Sequence, residues 1–175
     1  MTAITFIPAD PTLHRAALLE LSIEYMQWVV TEFCNITGAT PQEILGMPVP
    51  DYVASVIHKV CGDPAPRGIF YLVELDGGLA AMGGLRRVRD GVAEVKRIYV
   101  RPAYRGKRLG ESILERVVAD ARTFGYKTLV LDSAPFMQSA QRIYEQHGFV
   151  DREPYVEVEA PKELHPLLRF MEKSL

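Results

Sequence analysis

Val100-Arg101-Pro102-Ala103-Tyr104-Arg105-Gly106-Lys107-Arg108-Leu109-Gly110 joins a β-rich segment to an amphipathic one. On its amino side, Val92 to Val100 has strand character and is stopped by Pro102. On its carboxyl side, Ile113, Leu114, Val117, Val118, Ala121 and Phe124 recur at helical spacing and end at Gly125. A helix start exposes N–H groups with no intrahelical acceptor and carries the positive end of the helix dipole. Gly106 and Gly110 let a ligand approach that backbone, while Arg101, Arg105, Lys107 and Arg108 add positive charge. Strand, glycine-containing loop and helix in this order form a cradle for an anion, with a diphosphate as the natural guest. A solvated basic turn has the same composition, and the loop alone leaves both readings open. Neither the G-x-x-x-x-G-K-[ST] phosphate loop nor the G-x-G-x-x-G dinucleotide pattern is present.

Upstream, Ile69 to Leu75 is β-rich and ends at Asp76-Gly77-Gly78, a hairpin signal. Leu79 to Val88 is the partner strand, with a bulge expected at Gly83-Gly84, and Asp90-Gly91 turns the chain into Val92 to Val100. These segments predict an antiparallel meander. Nearer the amino terminus, Ile4 and Phe6 mark a short strand ending at Pro8. Asp10-Pro11 opens a helix with the stripe Leu18, Leu21, Tyr25, Trp28 and Val29. Thr40-Pro41-Gln42-Glu43 has capping-box spacing, Gly46-Met47-Pro48 interrupts, and Tyr52, Val53, Val56, Ile57 and Val60 form a further stripe. Downstream come a strand over Thr128 to Leu131 and a helix from about Phe136 to His147 with Gly148 behind it. One or two closing strands are expected over Phe149 to Val158. The order predicts a mixed α/β layer rather than a βαβ repeat.

Composition narrows the class. With 175 residues, 48% apolar and 24% charged, the chain suits one soluble domain with its own core. The net charge of -2 and pI of about 6.1 argue against a nucleic-acid coat, and no membrane span is expected. Cys34 and Cys61 make no disulfide framework, and the amino terminus lacks the basic and apolar regions of a signal peptide, so a reducing cytoplasm is expected. His14, His58, His147 and His165 are scattered without metal-ligand spacing, and no metal is expected.

Three blocks in this chain resemble the GNAT superfamily of N-acetyltransferases. Arg105 and Gly110 occupy the first and last positions of that family's [QR]-x-x-G-x-[GA] coenzyme-A motif, with Arg108 where glycine is usual. Ala93 to Val100 looks like the family's central strand, and Ile143-Tyr144-Glu145-Gln146-His147-Gly148-Phe149 like its late L-Y-E-x-x-G-F signature. The resemblance implies a GNAT-type α/β fold: a mixed, mostly antiparallel sheet with a splayed central strand pair, flanked by helices. It implies a single domain over 1–175. Within it, 1–66 is a variable helical acceptor-side region, 67–150 the coenzyme-A-binding core, and 151–175 the closing strands.

The implied activity is transfer of acetyl from acetyl-CoA, as co-substrate, to a primary amine of a small molecule or peptide in a ternary complex. Cofactor-binding positions are then Arg105, Gly106, Lys107, Arg108, Leu109 and Gly110 for the pyrophosphate, and backbone groups of Ile98, Tyr99 and Val100 for the pantetheine arm. An N–H near Ile98 would also polarise the thioester carbonyl. An amine has a pKa of roughly 10.4 and a thiol roughly 8.5, so a base and an acid both help. Tyr144 shares the apolar face of its helix, and periodicity alone makes it core; the resemblance makes it the acid that protonates the leaving sulfur. Glu94 is the candidate base, and a strand glutamate paired with Lys96 or Arg97 is the equal alternative. Met137 stands where many relatives carry asparagine. A homodimer is compatible with the family, and a non-catalytic acyl-CoA-binding sensor is the alternative function. A nucleic-acid role for Arg86, Arg87, Arg89 and the loop cations ranks third.

Overall fold

A computed structural model describes residues 3–175; Met1 and Thr2, which begin the N-terminal stretch read above, lie outside the described residues. Alternation along β2 (Ile69–Leu75) sends Phe70 and Leu72 to one face of a sheet and Tyr71, Val73 and Leu75 to the other, all buried. Both faces are therefore covered. β2 pairs antiparallel with β1 (Ile4–Pro8) and β3 (Gly78–Arg89), and β3 with β4 (Val92–Val100), giving the expected meander. β4 runs parallel to β5 (Thr128–Ser133), while β7 (Arg169–Ser174) lies antiparallel between β5 and β6 (Val150–Asp151). The sheet order β1-β2-β3-β4-β5-β7-β6 is mixed and mostly antiparallel, as expected.

α1 (Arg15–Thr37) and α3 (Val49–Cys61) bury Leu18, Leu21, Val53 and Ile57 against the face carrying Phe70, Leu72, Met82 and Tyr99. α4 (Leu109–Thr123) covers the other face, setting Ile113, Leu114, Val117 and Ala121 against Tyr71, Val73 and Leu85. α5 (Gln138–Gln146) adds Ala140, Ile143 and Tyr144 to that side. α2 (Pro41–Leu45) starts with the anticipated capping box: Thr40 Oγ1 accepts from the Glu43 N–H at 3.3 Å, and the Glu43 carboxylate accepts from the Thr40 N–H at 2.8 Å. Among the described residues no helix is long and apolar enough to cross a membrane.

Two expectations need correction. Asp10 does not open a helix at residue 11; its carboxylate accepts from the N–H groups of Thr12 and Leu13 at 2.8 and 2.7 Å, which holds a turn, and α1 begins at Arg15. Phe149 to Val158 yields only the two-residue β6, and the principal closing strand is β7. Its alternation is hidden because flanking positions carry charges that form ion pairs across the edge, such as Arg152 with Glu172 at 2.7 Å. Between them, Tyr155 folds over β5 and β7, closing a small core with Val130 and Phe170 on the α1/α3 face.

The central strands part for a local reason. Register places Gly84 opposite Lys96 and Met82 opposite Tyr99, so Arg97 and Ile98 on β4 face the single residue Gly83. This is the bulge anticipated at the glycine pair, with the extra residue on the partner strand. Arg97 adopts φ 50°, in the left-handed region, and bends β4. A Cβ on Gly83 would lie 2.8 Å from Ile113 Cγ2 and 3.0 Å from Ile98 Cγ1, so only glycine admits the bulged chain beneath α4. β4 and β5 accordingly pair only through Val92–Glu94 and Thr128–Val130, then separate.

Candidate active site

A cavity of about 530 Å³ opens where β4 and β5 separate. Ile98, Tyr99 and Val100 line its strand wall, Arg105, Gly106, Arg108, Leu109 and Gly110 its loop wall, and Tyr144 reaches it from α5. The fold thus gathers all of these sequence-predicted positions. Lys107 and Glu94 are not on the wall. Lys107 is exposed, with Nζ 5.9 Å from the Tyr104 ring centroid.

At the loop, the first intrahelical bond of α4 runs from the Ser112 N–H to the Arg108 carbonyl (3.0 Å), leaving the Leu109, Gly110 and Glu111 N–H groups ahead of it without helical acceptors. These donors and the helix dipole favour an anion. Arg108, the residue standing for the usual glycine, has φ 59°, a left-handed conformation that glycine adopts without strain. Its side chain turns outward, 78% exposed, and donates to Glu111 at 2.7 Å. Arg108 and His147, the latter 3.2 Å away, hold the Glu111 carboxyl below its ordinary range. Arg101 leaves the cradle altogether: it pairs with Glu20 and Glu24 on α1 and donates to the Leu79 carbonyl at 3.0 Å. Arg105 is therefore the loop cation on the wall without a carboxylate partner among the described residues; it donates to the Val100 carbonyl and lies 5.8 Å from the Trp28 ring centroid.

Beyond Glu94, the edge of β4 that faces β5 has no strand partner among the described residues. A slot with such an edge along one wall and helix-terminal donors at its mouth fits an extended, amide-bearing chain ending in a diphosphate. Tyr144 is 9% exposed, its ring 5.7 Å from Phe149. Burial first, then Tyr25 and Asp132, push its phenol well above the usual tyrosine range, so it is protonated at neutral pH.

Glu94 sits elsewhere. It is 1% exposed and accepts from Arg86 Nε at 2.7 Å and from Tyr155 Oη at 2.5 Å, with Lys96 Nζ at 3.6 Å. Glu159 and Lys59 extend this network, Lys96 meeting Glu159 at 2.9 Å. The cross-strand Arg86 and the overlying Tyr155 occupy the carboxylate; of the two partners expected from sequence, Lys96 stands at 3.6 Å and Arg97 makes no ion pair with it among the described residues.

Several wall residues escaped the sequence reading. Tyr25 and Trp28, members of the apolar stripe of the first helix, form an aromatic wall with Phe136, the Trp28 and Phe136 ring centroids lying 5.3 Å apart. Arg97 and Asp132 also line the cavity. The Arg97 Nη1 atom is buried without a hydrogen-bond partner among the described residues. Asp132 shares the face of Val130 two residues earlier, and burial, reinforced by Glu94 and Glu159 against Lys96 and His165, raises its carboxyl above the ordinary range. Met137, on the wall, precedes α5, where Gln141 ties the helix to Ser133 (3.2 Å) and Ala134 (2.9 Å). The fold also brings His147 within 4.8 Å of Glu111 and Glu115, a neighbourhood invisible in the spacing of the histidines.

Comparison with known proteins adds a second line. The pattern of the Acetyltransferase (GNAT) family matches residues 30–149. An IAA acetyltransferase of Azospirillum brasilense is 38% identical over 107 residues, 61% of this chain and 67% of that protein. Other curated relatives are spanned over between 30% and 83% of their own lengths. The crystal structure of a protein described as an acyl-CoA N-acyltransferase, from Klebsiella pneumoniae, superposes with TM-score 0.68 and 26% identity, covering 100% of this chain and 98% of that one. PaiA N-acetyltransferase from Thermoplasma acidophilum, solved in complex with coenzyme A, has TM-score 0.67 and 17% identity over 99% of each chain, a likeness of fold.

Proposed function

The chain belongs to the GNAT family of acetyltransferases, which are acyltransferases, and on that premise we propose that it moves the acetyl group of acetyl-CoA to a primary amine by direct transfer in a ternary complex. The observation that carries this reading is the cavity at the β4–β5 separation, which connects the helix-terminal donors of α4 with Tyr144 and with the α1/α3 face of the sheet. Acetyl-CoA supplies the thioester that is transferred. The N–H groups of Leu109, Gly110 and Glu111, with Arg105 beside them, bind its diphosphate. The free edge around Ile98, Tyr99 and Val100 pairs with the amides of the pantetheine arm as an added strand would. An N–H near Ile98 donates to the thioester carbonyl as negative charge builds on its oxygen. The amine nitrogen bonds to the carbonyl carbon while the carbon–sulfur bond breaks; Tyr144, which holds its proton at neutral pH, donates to the departing sulfur, and the proton lost by the nitrogen returns to Tyr144 through solvent.

The test couples binding to turnover. Calorimetric titration with acetyl-CoA, followed by a thiol-release assay over a panel of primary amines, should give binding and release matched by acetylated amine in the mass spectrum. Tight binding with no acetylation of any amine would identify a sensor instead, and absence of binding would remove the cradle.

A further inference from the structure

An arginine whose buried nitrogen finds no acceptor is costly to keep, because the hydrogen bonds lost with water are not replaced. Arg97 is such a residue. It stands at the bulge of β4 in a left-handed conformation, lines the cavity, and has Nη1 buried with no acceptor among the described residues. It lines the cavity together with Tyr25 and Trp28 of α1, a helix of the α1/α3 face of the sheet. Asp132 lines the same cavity on that face from β5, and no ion pair joins it to Arg97 among the described residues. Two neighbouring carboxylates are already matched: Glu94 by Arg86, and Glu159 by Lys96, Lys59 and Arg86.

We propose that Arg97 and Asp132 form the acceptor subsite, and that the acceptor is an amino acid, with Arg97 binding its carboxylate and Asp132 its amino group. The proposal rests on the acetyltransferase reading above and deepens it. Donor and acceptor chemistry supports the pairing. A guanidinium satisfies a carboxylate through parallel N–H donors, whereas a carboxylate is an acceptor suited to an ammonium or amine. Tyr25, Trp28 and Phe136 wall the space with aromatic rings, which favours a compact guest over an extended peptide.

The proton balance follows. The bound ammonium first releases one proton to solvent. As the nitrogen–carbon bond forms and the carbon–sulfur bond breaks, the second proton passes to Asp132 and the sulfur takes one from Tyr144. Return of a proton from Asp132 to Tyr144 through solvent resets both groups. Burial raises the Asp132 carboxyl toward the range of a useful base, with Glu94 and Glu159 acting in the same direction and Lys96 and His165 opposing them. Tyr25 and Tyr144 face it as neutral phenols, both raised by burial.

The experiment measures thiol release from acetyl-CoA by the full chain, with α-, β- and γ-amino acids set against the same compounds as carboxamides and as decarboxylated amines. At least one amino acid should exceed its carboxamide in kcat/KM by about 30-fold or more, the scale set by leaving a buried charge unpaired. Arg97→Asn, a residue that tolerates the left-handed backbone, should bring that ratio toward one while calorimetric affinity for acetyl-CoA holds. Carboxamides and simple amines acetylated as well as the acids would overturn the amino-acid assignment and leave acetyl transfer standing. Failure to acetylate any amine would overturn the acetyltransferase reading itself, and the subsite with it. The wild-type comparison decides the matter even if the variant does not fold.

Discussion

Tyr144→Phe removes a single oxygen from the wall of the cavity, and the structure sets what that should cost. The hydroxyl makes no hydrogen bond with protein among the described residues, and the ring packs on Phe149 through carbon. Folding stability should therefore change by less than about 1 kcal/mol in denaturant titration. Acetyl-CoA affinity should stay within about twofold, because the cradle and the β4 edge are untouched. Turnover should fall about a hundred- to ten-thousandfold, the usual contribution of a positioned acid, or about 3–5 kcal/mol of barrier. Single-turnover measurement isolates the chemical step from product release. The loss should shrink with an acetyl donor whose thiol is more acidic than coenzyme A, since a better leaving group needs less help. Stability supplies an independent check. Burial raises the Tyr144 phenol, so the native state favours the protonated form; that stability is complete below pH about 10 and is lost as pH climbs toward the raised value. The wild type should therefore lose stability above pH 10 more steeply than Tyr144→Phe. An unchanged single-turnover rate would refute the acid role.

Glu94→Gln should weaken folding by about 1–3 kcal/mol, because buried Arg86 then keeps only Glu159, at 3.1 Å, as an ion-pair partner, while kcat of the folded fraction stays within a few fold; a large kcat loss at unaltered melting temperature would restore Glu94 as the base. Arg108→Gly should relieve a left-handed conformation costing about 1 kcal/mol or more and offset the loss of an exposed ion pair, so chemical denaturation should show equal or higher stability, with calorimetric coenzyme affinity reduced no more than about threefold. Burial alone would raise the Glu159 carboxyl, but Lys96, Lys59 and Arg86 outweigh it and hold it down at about 2. Its contribution to stability is present above the unfolded value of about 4.3 and is lost as pH falls toward 2. Melting temperatures across that window should drop less in Glu159→Gln than in the wild type.

The loop and its helix were legible because glycine, charge and the change of hydrophobic period coincide at residues 100–110. The meander was legible from its turns. Tyr144 could be reached only through the late signature, since its burial on an apolar helix face looks like ordinary core. Arg97 and Asp132 were not legible: strict alternation assigns each strand residue a face, and the bulge at Arg97 breaks that alternation. Tyr25 and Trp28 sit on a regular helical stripe, and nothing in the spacing separates a cavity wall from a packed interior. Glu94 depended on tertiary neighbours, because Tyr155 lies 61 residues away in the chain and only the folded C-terminal segment brings it over the carboxylate.

A crystal structure of the complex with acetyl-CoA tests the central claim most directly. The diphosphate should lie on the N–H groups of Leu109, Gly110 and Glu111, the pantetheine amides should pair along Ile98–Val100, and the sulfur should come within hydrogen-bonding reach of Tyr144 Oη. Density for acetyl-CoA anywhere else, with the β4–β5 cavity open to solvent, would contradict the claim.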